Sequence, residues 1–434
     1  MTMAAGKPIR ILTYCPLPYN GGGPSGSCVN ILANIPAEIA TSTLVLPRAT
    51  KPIPSAIEVD QAVPAPLRWS PWRPMWTIGM AYLNRRFAQH IDESDPATTV
   101  AYFWPDPPLW LVHRARKRGL LAVREMINCY RGSAKTILDH SYDRLGLPRS
   151  HTISEESVRQ ERAELALYDY VFASRQVVPT LHEAGVSDER ILPAAFGWNP
   201  ARFLPIQREP RSGPVRALFV GIVGVRKGIP DLLKAWELAG APGELLIAGG
   251  VEKDVARFLR KNPPPSNVKF LGFVRDMRRL YLESDFFIFP TLEEGGPQVT
   301  CEAAGCGLPV LTTDMGAGRL VSDGRNGLIV ESADAQGLAA AISRLARDAD
   351  LRRTLGENAA ADAERFTYAA LARARAEMIV EALGRRHSKP TAYFGPLGGE
   401  AAGIVARVRA HEQELGATVA GAFDEQSIRV HAGA

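Results

Sequence analysis

Two glutamates and a glycine-rich turn follow an apolar, strand-like run in the second half of the chain. The stretch FFIFPTLEEGGPQVTCEAAGCGLPVLTT occupies residues 286–313, and seven residues separate Glu294 from Glu302. Pro297 suits the first position of a helix, so the backbone N–H groups of residues 296–299 would be free to bind an anion. Carboxylates beside an anion would hold neutral hydroxyl groups, which sugar and ribose rings offer in pairs. The pattern therefore predicts a site for a phosphorylated ligand that is rich in hydroxyls.

Two adjacent cations follow an earlier apolar run, in FVGIVGVRKGIPDLLKAW at residues 219–236. Arg226 and Lys227 come after a strand pattern and before a helix pattern, which places them at the carboxyl edge of a sheet. Two fixed cations at this edge would neutralise a diphosphate leaving group without a metal ion. For these two residues considered alone, a pair that only solvates a turn remains the alternative.

A third glycine-rich stretch, GGGPSG at residues 21–26, spells the dinucleotide fingerprint through Gly21, Gly23 and Gly26. The loop before it is longer than the tight turn of a dinucleotide site, and the second strand pattern, TLVLPRAT, ends without an acid for the ribose of NAD. Arg48 would suit the 2′-phosphate of NADP, so that residue alone leaves NADP open. An oxidoreductase would nevertheless leave the glutamates and the two cations of the second half unexplained.

Short apolar runs alternate with helix patterns along most of the chain, which is typical of parallel α/β sheets. The predicted strands cover residues 9–15, 41–47, 98–104, 120–127, 170–174, 215–223, 244–250, 268–273, 286–290 and 309–313. A segment rich in proline, glycine and charge around residues 199–215 separates two such series. Because 434 residues exceed the size of a single core, the sequence predicts two doubly wound Rossmann-like domains that face each other across a cleft.

The composition is that of a soluble globular protein, with 46% hydrophobic and 22% charged residues. A net charge of +5 favours anionic partners. The five cysteines lie mostly in apolar runs and match no zinc spacing, which indicates reduced thiols. The Asp-Ala-Asp triplet at residues 348–350 falls in a helical, arginine-rich segment and is interpreted as surface, so no metal is predicted. Without an apolar leader or an 18-residue apolar run, we expect a cytoplasmic protein whose membrane contact, if any, is peripheral at the inner face.

Aromatic and basic residues are interleaved in RWSPWRPMWTIGMAYLNRRF at residues 68–87. Amphipathic segments of this kind can lie on anionic membranes. The alternative is a helix whose aromatic face packs on the first sheet, and the sequence leaves both readings open.

The motif EGGPQVTCEAAGCGLPV resembles the E-x7-E signature of the retaining glycosyltransferases of family four, the glycosyl transferases group 1, which have the GT-B fold. Lys227 and Gly228 match the end of the G-R-x4-K-G segment of that family. Ile222 stands where the family has its arginine, and we expect Arg226 to supply the guanidinium. Segments at residues 161–186 and 196–205 also resemble the family, so the resemblance covers most of residues 9 to 386.

This resemblance implies an enzyme that moves a hexose-type sugar from a UDP-, GDP- or ADP-sugar to a hydroxyl acceptor, with retention and without a metal or other cofactor. The acceptor would be a glycan, a lipid-linked molecule or a small molecule in glycan, glycolipid or polysaccharide biosynthesis, and nucleic acid is not expected as a partner. The predicted catalytic residues are Glu294, Arg226 and Lys227. The predicted donor-binding residues are Glu302, Gly295, Gly296, Pro297, Gln298, Val299, Gly22 and Gly23. The predicted acceptor-side residues, for each of which a core or surface role is equally open, are Glu125, Asn128 and His151.

The predicted organisation has an N-terminal acceptor domain at residues 1–205 and a C-terminal donor domain at residues 206–365. A helix at residues 366–390 would return to the first domain, and residues 391–434 form a tail of unknown role. Two alternatives remain. One is another activity of the same fold, such as an epimerase or a sugar phosphate synthase. The other, suggested by Ile222, is a protein that binds a nucleotide sugar without turnover.

Overall fold

The computed structural model describes residues 8–204, 212–240 and 243–388, and it contains two α/β domains followed by a long helix. The predicted tail at residues 391–434 lies outside the described residues. The parallel sheets and the two-domain architecture predicted from the sequence are confirmed.

The first domain is built on a seven-stranded parallel sheet in the order β3-β2-β1-β4-β5-β6-β7. Its strands are β1 (Ile9–Tyr14), β2 (Ala40–Leu46), β3 (Ile57–Gln61), β4 (Thr99–Phe103), β5 (Leu121–Glu125), β6 (Tyr170–Ala173) and β7 (Ile191–Pro193). Its helices are α1 (Gly23–Ala33), α2 (Trp72–Glu93), α3 (Leu109–Lys117), α4 (Arg131–Arg144), α5 (Glu155–Leu165) and α6 (Val178–Glu183). Apolar clusters lie on both faces of this sheet, as expected for buried parallel strands.

The second domain is built on a six-stranded parallel sheet in the order β10-β9-β8-β11-β12-β13. Its strands are β8 (Val215–Val220), β9 (Gly243–Ala248), β10 (Val268–Gly272), β11 (Phe286–Phe289), β12 (Val310–Thr313) and β13 (Gly327–Val330). Its helices are α7 (Ile229–Ala239), α8 (Lys253–Lys261), α9 (Met277–Leu282), α10 (Gln298–Gly305), α11 (Asp314–Ala317), α12 (Ala335–Arg347) and α13 (Ala349–Ala363).

Three strands of the structure, β3, β7 and β13, were absent from the sequence prediction. All three lie at sheet edges, and they contain only three to five residues. The sequence of β3, IEVDQ, contains three polar residues, and β7 comprises only three residues that end in Pro193, so neither has the apolar run of a central strand. The third strand, β13, is the short apolar run GLIV, which the sequence prediction overlooked.

The last helix, α14 (Tyr368–Ser388), packs on the first domain although it follows the second. Its buried residues Tyr368, Ala372, Ala376 and Ile379 recur at the spacing of one helix face. They pack into the same apolar cluster as β1, β4 and α1. The helix thus adds to the core of the first domain and carries the chain back across the junction.

Each sheet has a switch point, where the strand order changes direction. In the first sheet it lies between β1 and β4, and in the second between β8 and β11. Ligands of doubly wound sheets bind outside the carboxyl ends of the strands at such points. The two motifs singled out in the second half of the sequence directly follow β8 and β11, so they flank the second switch point.

Candidate active site

The loops that follow β8 and β11 are bonded to each other along their backbones. The N–H of Leu292 donates to the carbonyl of Arg226 at 2.9 Å. Gly228 has a φ of 70°, and a Cβ atom on it would lie 2.0 Å from the carbonyl oxygen of Pro290. Only glycine permits both this backbone conformation and this approach, so the cation loop and the glutamate loop form one unit.

Within this unit, each of the two cations contacts a glutamate. Arg226 Nη1 donates to Glu293 Oε2 at 3.1 Å, and Lys227 Nζ forms an ion pair with Glu294. Lys227 is buried, and its burial together with the neighbouring Arg226 guanidinium holds its pKa well below the usual value. An anionic ligand placed here would raise the pKa of the lysine again.

The glutamate loop also touches the first domain directly. The backbone N–H of Cys129 donates to Glu293 Oε1 at 2.8 Å. A Cβ atom on Gly295 would lie 2.1 Å from the carbonyl carbon of Ile127, so the glycine lets the two domains meet backbone to backbone. Asn128, predicted on the acceptor side, is exposed in this same segment. The site is therefore assembled from both domains.

Helix α10 begins at Gln298, and Pro297 precedes it as the capping residue instead of occupying its first turn, as the sequence had suggested. The N–H of Thr300 is already bonded to the carbonyl of Pro297 at 3.2 Å. This leaves the N–H groups of Gln298 and Val299, in the first turn, as the helix donors for an anion.

Glu302 is buried in α10 and bonded by protein donors. Gln298 Nε2 donates to its Oε1 at 2.8 Å, and the Tyr281 hydroxyl donates to its Oε2 at 3.1 Å. Arg202 Nη1 lies 3.5 Å from Oε1. Burial raises the pKa of Glu302 in spite of these donors. A ribose could reach this carboxylate only by replacing one of its present partners.

The glycines of the first domain lie at the start of α1, where Gly22 caps the helix and Gly23 has a φ of 62°. Both are exposed, and a Cβ atom on either would meet no other atom within 4 Å. Ser27 in the same helix donates to Gln298 Oε1 at 3.0 Å. This hydrogen bond brings α1 of the first domain beside α10 of the second, and open space lies above the glycine pair.

The other two predicted acceptor-side residues, Glu125 and His151, are bonded to other parts of the protein. Glu125 is fully buried, and it accepts hydrogen bonds from the Tyr102 hydroxyl and from Arg375 Nη2, the latter at 2.7 Å. His151 Nε2 lies 2.7 Å from Asp139 Oδ1 on α4. These contacts give Glu125 a role in holding α14 and give His151 a role in fixing the chain after α4.

Two features of the site were not anticipated from the sequence. Glu293, which the sequence analysis did not single out as a site residue, is buried between Arg226 and the first domain. Phe273 directly follows β10 and is 87% exposed, and Ile222 after β8 is 52% exposed. Both lie at the carboxyl edge of the sheet, where ligands of such sheets bind. The only sequence signal for Phe273 was its position as the last residue of the predicted strand at residues 268–273.

Comparison with known proteins supports a relationship of the second domain to one family. The family described as glycosyl transferases group 1 matches residues 214–348. The capsular polysaccharide biosynthesis glycosyltransferase CapM of Staphylococcus aureus is 34% identical over 150 residues, which are 32% of this chain and 39% of that protein. The N,N'-diacetylbacillosaminyl-diphospho-undecaprenol alpha-1,3-N-acetylgalactosaminyltransferase of Campylobacter jejuni is 23% identical over 213 residues, 46% of this chain and 56% of that protein. The chain thus spans well under two thirds of the length of these relatives.

Solved structures establish that the fold is GT-B. The sucrose-phosphate synthase of Thermosynechococcus elongatus superposes with a TM-score of 0.65 at 19% identity, covering 87% of this chain and 100% of that one. WaaG, a glycosyltransferase involved in lipopolysaccharide biosynthesis, superposes with a TM-score of 0.61 at 19% identity, covering 86% of this chain and 99% of that one. Anabaena Alr3699/HepE in complex with UDP and glucose superposes with a TM-score of 0.59 at 18% identity, covering 87% of this chain and 100% of that one.

Among the residues that the structure describes, no helix is long and apolar enough to cross a membrane. Within the same residues, no group of three or more His, Cys, Asp or Glu side chains is arranged to hold a metal ion.

Proposed function

We propose that this protein is a retaining glycosyltransferase that moves a sugar from a nucleotide-sugar donor to a hydroxyl acceptor in glycan, glycolipid or polysaccharide biosynthesis. The observation that carries the proposal is the paired loop at the second switch point. There, Arg226 and Lys227 contact Glu293 and Glu294, and Glu293 also bonds to the backbone of the first domain. CapM and the Campylobacter enzyme, which match 32% and 46% of this chain, are named as glycosyltransferases of this general kind.

The donor diphosphate would bind where the two cations and the first turn of α10 converge. Arg226 is partly exposed and retains donors beyond its contact with Glu293, while the N–H groups of Gln298 and Val299 add the helix terminus. Charge that develops on the leaving phosphate would be stabilised by these fixed donors. Removing one such donor typically raises the activation free energy by about 2.7–4 kcal/mol. The cations supply the charge that a metal ion would otherwise supply, so the proposed reaction is independent of metal.

Glu294 would hold hydroxyls of the transferred sugar. In the ligand-free protein it is paired with Lys227, and an arriving phosphate would take over the lysine and leave the carboxylate for the sugar. Glu302 would contact the ribose once Arg202 or Gln298 gives way. The exposed ring of Phe273 at the same sheet edge would stack on the nucleobase.

The chemical step we propose needs no nucleophile from the protein. As the bond from the anomeric carbon to the phosphate oxygen breaks, a bond from the acceptor oxygen to that carbon forms on the same face. The acceptor proton passes to the departing phosphate, so atoms and charge balance. Contact between Gly295 and the segment around Ile127 would exclude water that could hydrolyse the donor.

The first test is thermal stabilisation by UDP, GDP, ADP and NADP side by side in EDTA. A ligand at 100 times its dissociation constant adds about 2.7 kcal/mol of stability. Stabilisation by one nucleoside diphosphate, but not by NADP, supports the donor site. A shift with NADP alone would require the proposal to be abandoned in favour of an oxidoreductase.

Product analysis then separates the remaining alternatives of this fold. NMR of the purified product distinguishes a transferred sugar with retained configuration from an epimerised sugar or a sugar phosphate. Binding without any product in the presence of acceptor extracts would favour a protein that binds nucleotide sugars without turnover.

We also propose that the start of α2 and the residues just before it, at residues 68–87, contact an anionic membrane and bring the enzyme to a lipid-linked acceptor. Trp69, Trp76 and Ile78 are 82%, 44% and 48% exposed. Residues 62–91 contain four arginines and no Asp or Glu. Arg86 is paired with Asp60 at 2.6 Å, whereas Arg73 and Arg85 are exposed beside the aromatic residues. An exposed aromatic surface flanked by positive charge complements an anionic lipid surface.

Flotation with vesicles tests this surface. The protein should bind vesicles that contain phosphatidylglycerol, and not vesicles of phosphatidylcholine alone. Replacing Arg73 and Arg85 with Glu should weaken binding at least fivefold, because each basic residue near the membrane contributes about 1 kcal/mol. Replacing Trp69 and Trp76 with Ser should also weaken binding at least fivefold, because it removes the apolar surface that would enter the membrane. Binding that survives both changes would refute the membrane surface.

A further inference from the structure

The carboxylate of Glu293 is bonded to both domains at once. Its side chain is 2% exposed, Oε1 accepts the N–H of Cys129 from the first domain at 2.8 Å, and Oε2 accepts Arg226 Nη1 from the second at 3.1 Å. The backbone carbonyl of Glu293 accepts the same Arg226 nitrogen at 3.3 Å. One glutamate therefore joins a predicted catalytic cation to the backbone of the opposite domain.

This arrangement depends on contact between the domains. Burial of a carboxylate is costly unless its charge is paired and its oxygens are bonded. Arg226 supplies the charge from the same domain, but the N–H of Cys129 is available only while the segment after β5 lies against the glutamate loop. The approach of Gly295 to Ile127 is part of the same contact.

We propose that Glu293 is a positioning residue that makes the placement of Arg226 depend on closure of the two domains. In the closed arrangement, Oε1 faces the N–H of Cys129 and only Nη1 of Arg226 contacts the carboxylate, through Oε2. The other N–H groups of Arg226 remain for a phosphate. When the domains separate, the freed oxygen can take a second N–H of Arg226 in the two-pronged geometry that guanidinium and carboxylate favour. Closure then releases the arginine toward the ligand.

The contact itself is testable in the ligand-free, full-length protein through hydrogen exchange at the Cys129 amide. Glu293→Ala should accelerate exchange about tenfold or more, on the scale of one hydrogen bond to a charged group. Glu293→Gln keeps an acceptor oxygen and should stay within about threefold of the native rate. Arg226→Ala should also accelerate exchange, because the carboxylate loses the cation that holds it. Glu331→Ala, at an exposed glutamate of the second domain, is the matched control, and exchange at Cys129 that Glu293→Ala leaves unchanged would overturn the inference.

The effect on Arg226 rests on the proposed function and is measured as nucleotide affinity. The nucleoside diphosphate among UDP, GDP and ADP that the native protein binds is titrated into Glu293→Ala, Arg226→Ala and the double variant. If Glu293 acts through Arg226, Glu293→Ala raises Kd about fivefold in the native background and less than twofold when Arg226 is absent. Additive effects, or tighter binding after removal of the acid, would refute the positioning role.

Failure of the proposed function can be distinguished from failure of the positioning role of Glu293. If the native protein binds none of the three nucleotides, the proposed function fails. The exchange rates at Cys129 in Glu293→Ala and Arg226→Ala still decide whether Glu293 couples Arg226 to the first domain.

Discussion

Replacing Arg375 with Met should destabilise the first domain strongly, because this arginine neutralises a carboxylate that no water reaches. Arg375 is 1% exposed and Glu125 is fully buried. The pair is joined at 2.7 Å, and Arg375 Nη1 also donates to the carbonyl of Ala195 at 2.9 Å. Removing one partner of a buried pair costs about 3–5 kcal/mol, since the other charge stays behind unpaired. With both groups this deeply buried, screening by solvent does not reduce that figure.

The measurement is urea unfolding of the full-length protein followed by far-UV circular dichroism. In thermal unfolding followed by the same signal, each kcal/mol lost would lower the melting temperature of a domain of about 150–250 residues by about 2–4 °C. Combining Arg375→Met with Glu125→Gln should recover part of the loss, because the second change removes the stranded charge. Arg385→Met, at an exposed arginine of the same helix, is the control. Stability of Arg375→Met within about 0.5 kcal/mol of the native protein would refute the reasoning and return Glu125 to the candidates for acceptor binding.

Further predictions concern the candidate site itself. Lys227→Met should lower the kcat of sugar transfer by a factor of about 10²–10³, the scale of one lost transition-state donor. The control is Lys234→Met, at an exposed lysine of α7, which should change kcat little. Equal kcat values in the two variants would contradict the catalytic assignment of Lys227. Glu302→Ala should mainly raise the Kd of the nucleotide in calorimetry, and Glu294→Ala should mainly lower kcat; full activity of either variant would remove that residue from the site. Burial lowers the pKa of Lys227 in the ligand-free protein, and a bound phosphate would raise it again. Nucleotide affinity should therefore fall as the pH rises above the pKa that Lys227 has in the ligand-free protein, because binding then requires the lysine to take up a proton. Affinity that is independent of pH between 7 and 10 would argue against phosphate contact by this lysine. Phe273→Ala should weaken nucleotide binding by about 1–3 kcal/mol if the ring stacks on the base, and an unchanged Kd would place the base elsewhere.

The sequence predicted the central strands and the two-domain architecture because these depend on local apolar runs and their alternation with helix patterns. It also predicted that the loops after β8 and β11 would lie on the same side of the sheet, since parallel strands end at the same edge. It missed three short edge strands, of which β3 contains polar residues and β7 and β13 are apolar but only three and four residues long.

What the sequence could not predict are contacts between parts of the chain that are distant in sequence. Nothing in the residues around Glu125 indicates an arginine 250 positions later. The same holds for Glu293, whose partner in the first domain is a backbone N–H and therefore leaves no mark on the sequence. Burial of these two carboxylates follows from tertiary packing, so a pattern of charges alone suggests solvated or ligand-binding acids.

The arginine that the sequence resemblance would place at Ile222 is the strongest reason to consider a protein without turnover. In the structure Ile222 is 52% exposed at the sheet edge, while Arg226 follows four residues later on the same loop and is held by both the side chain and the backbone of Glu293. Arg226 is thus fixed at the sheet edge next to Lys227, where the proposed function needs a guanidinium, and this supports the proposal that Arg226 supplies the group that the family resemblance would place at Ile222.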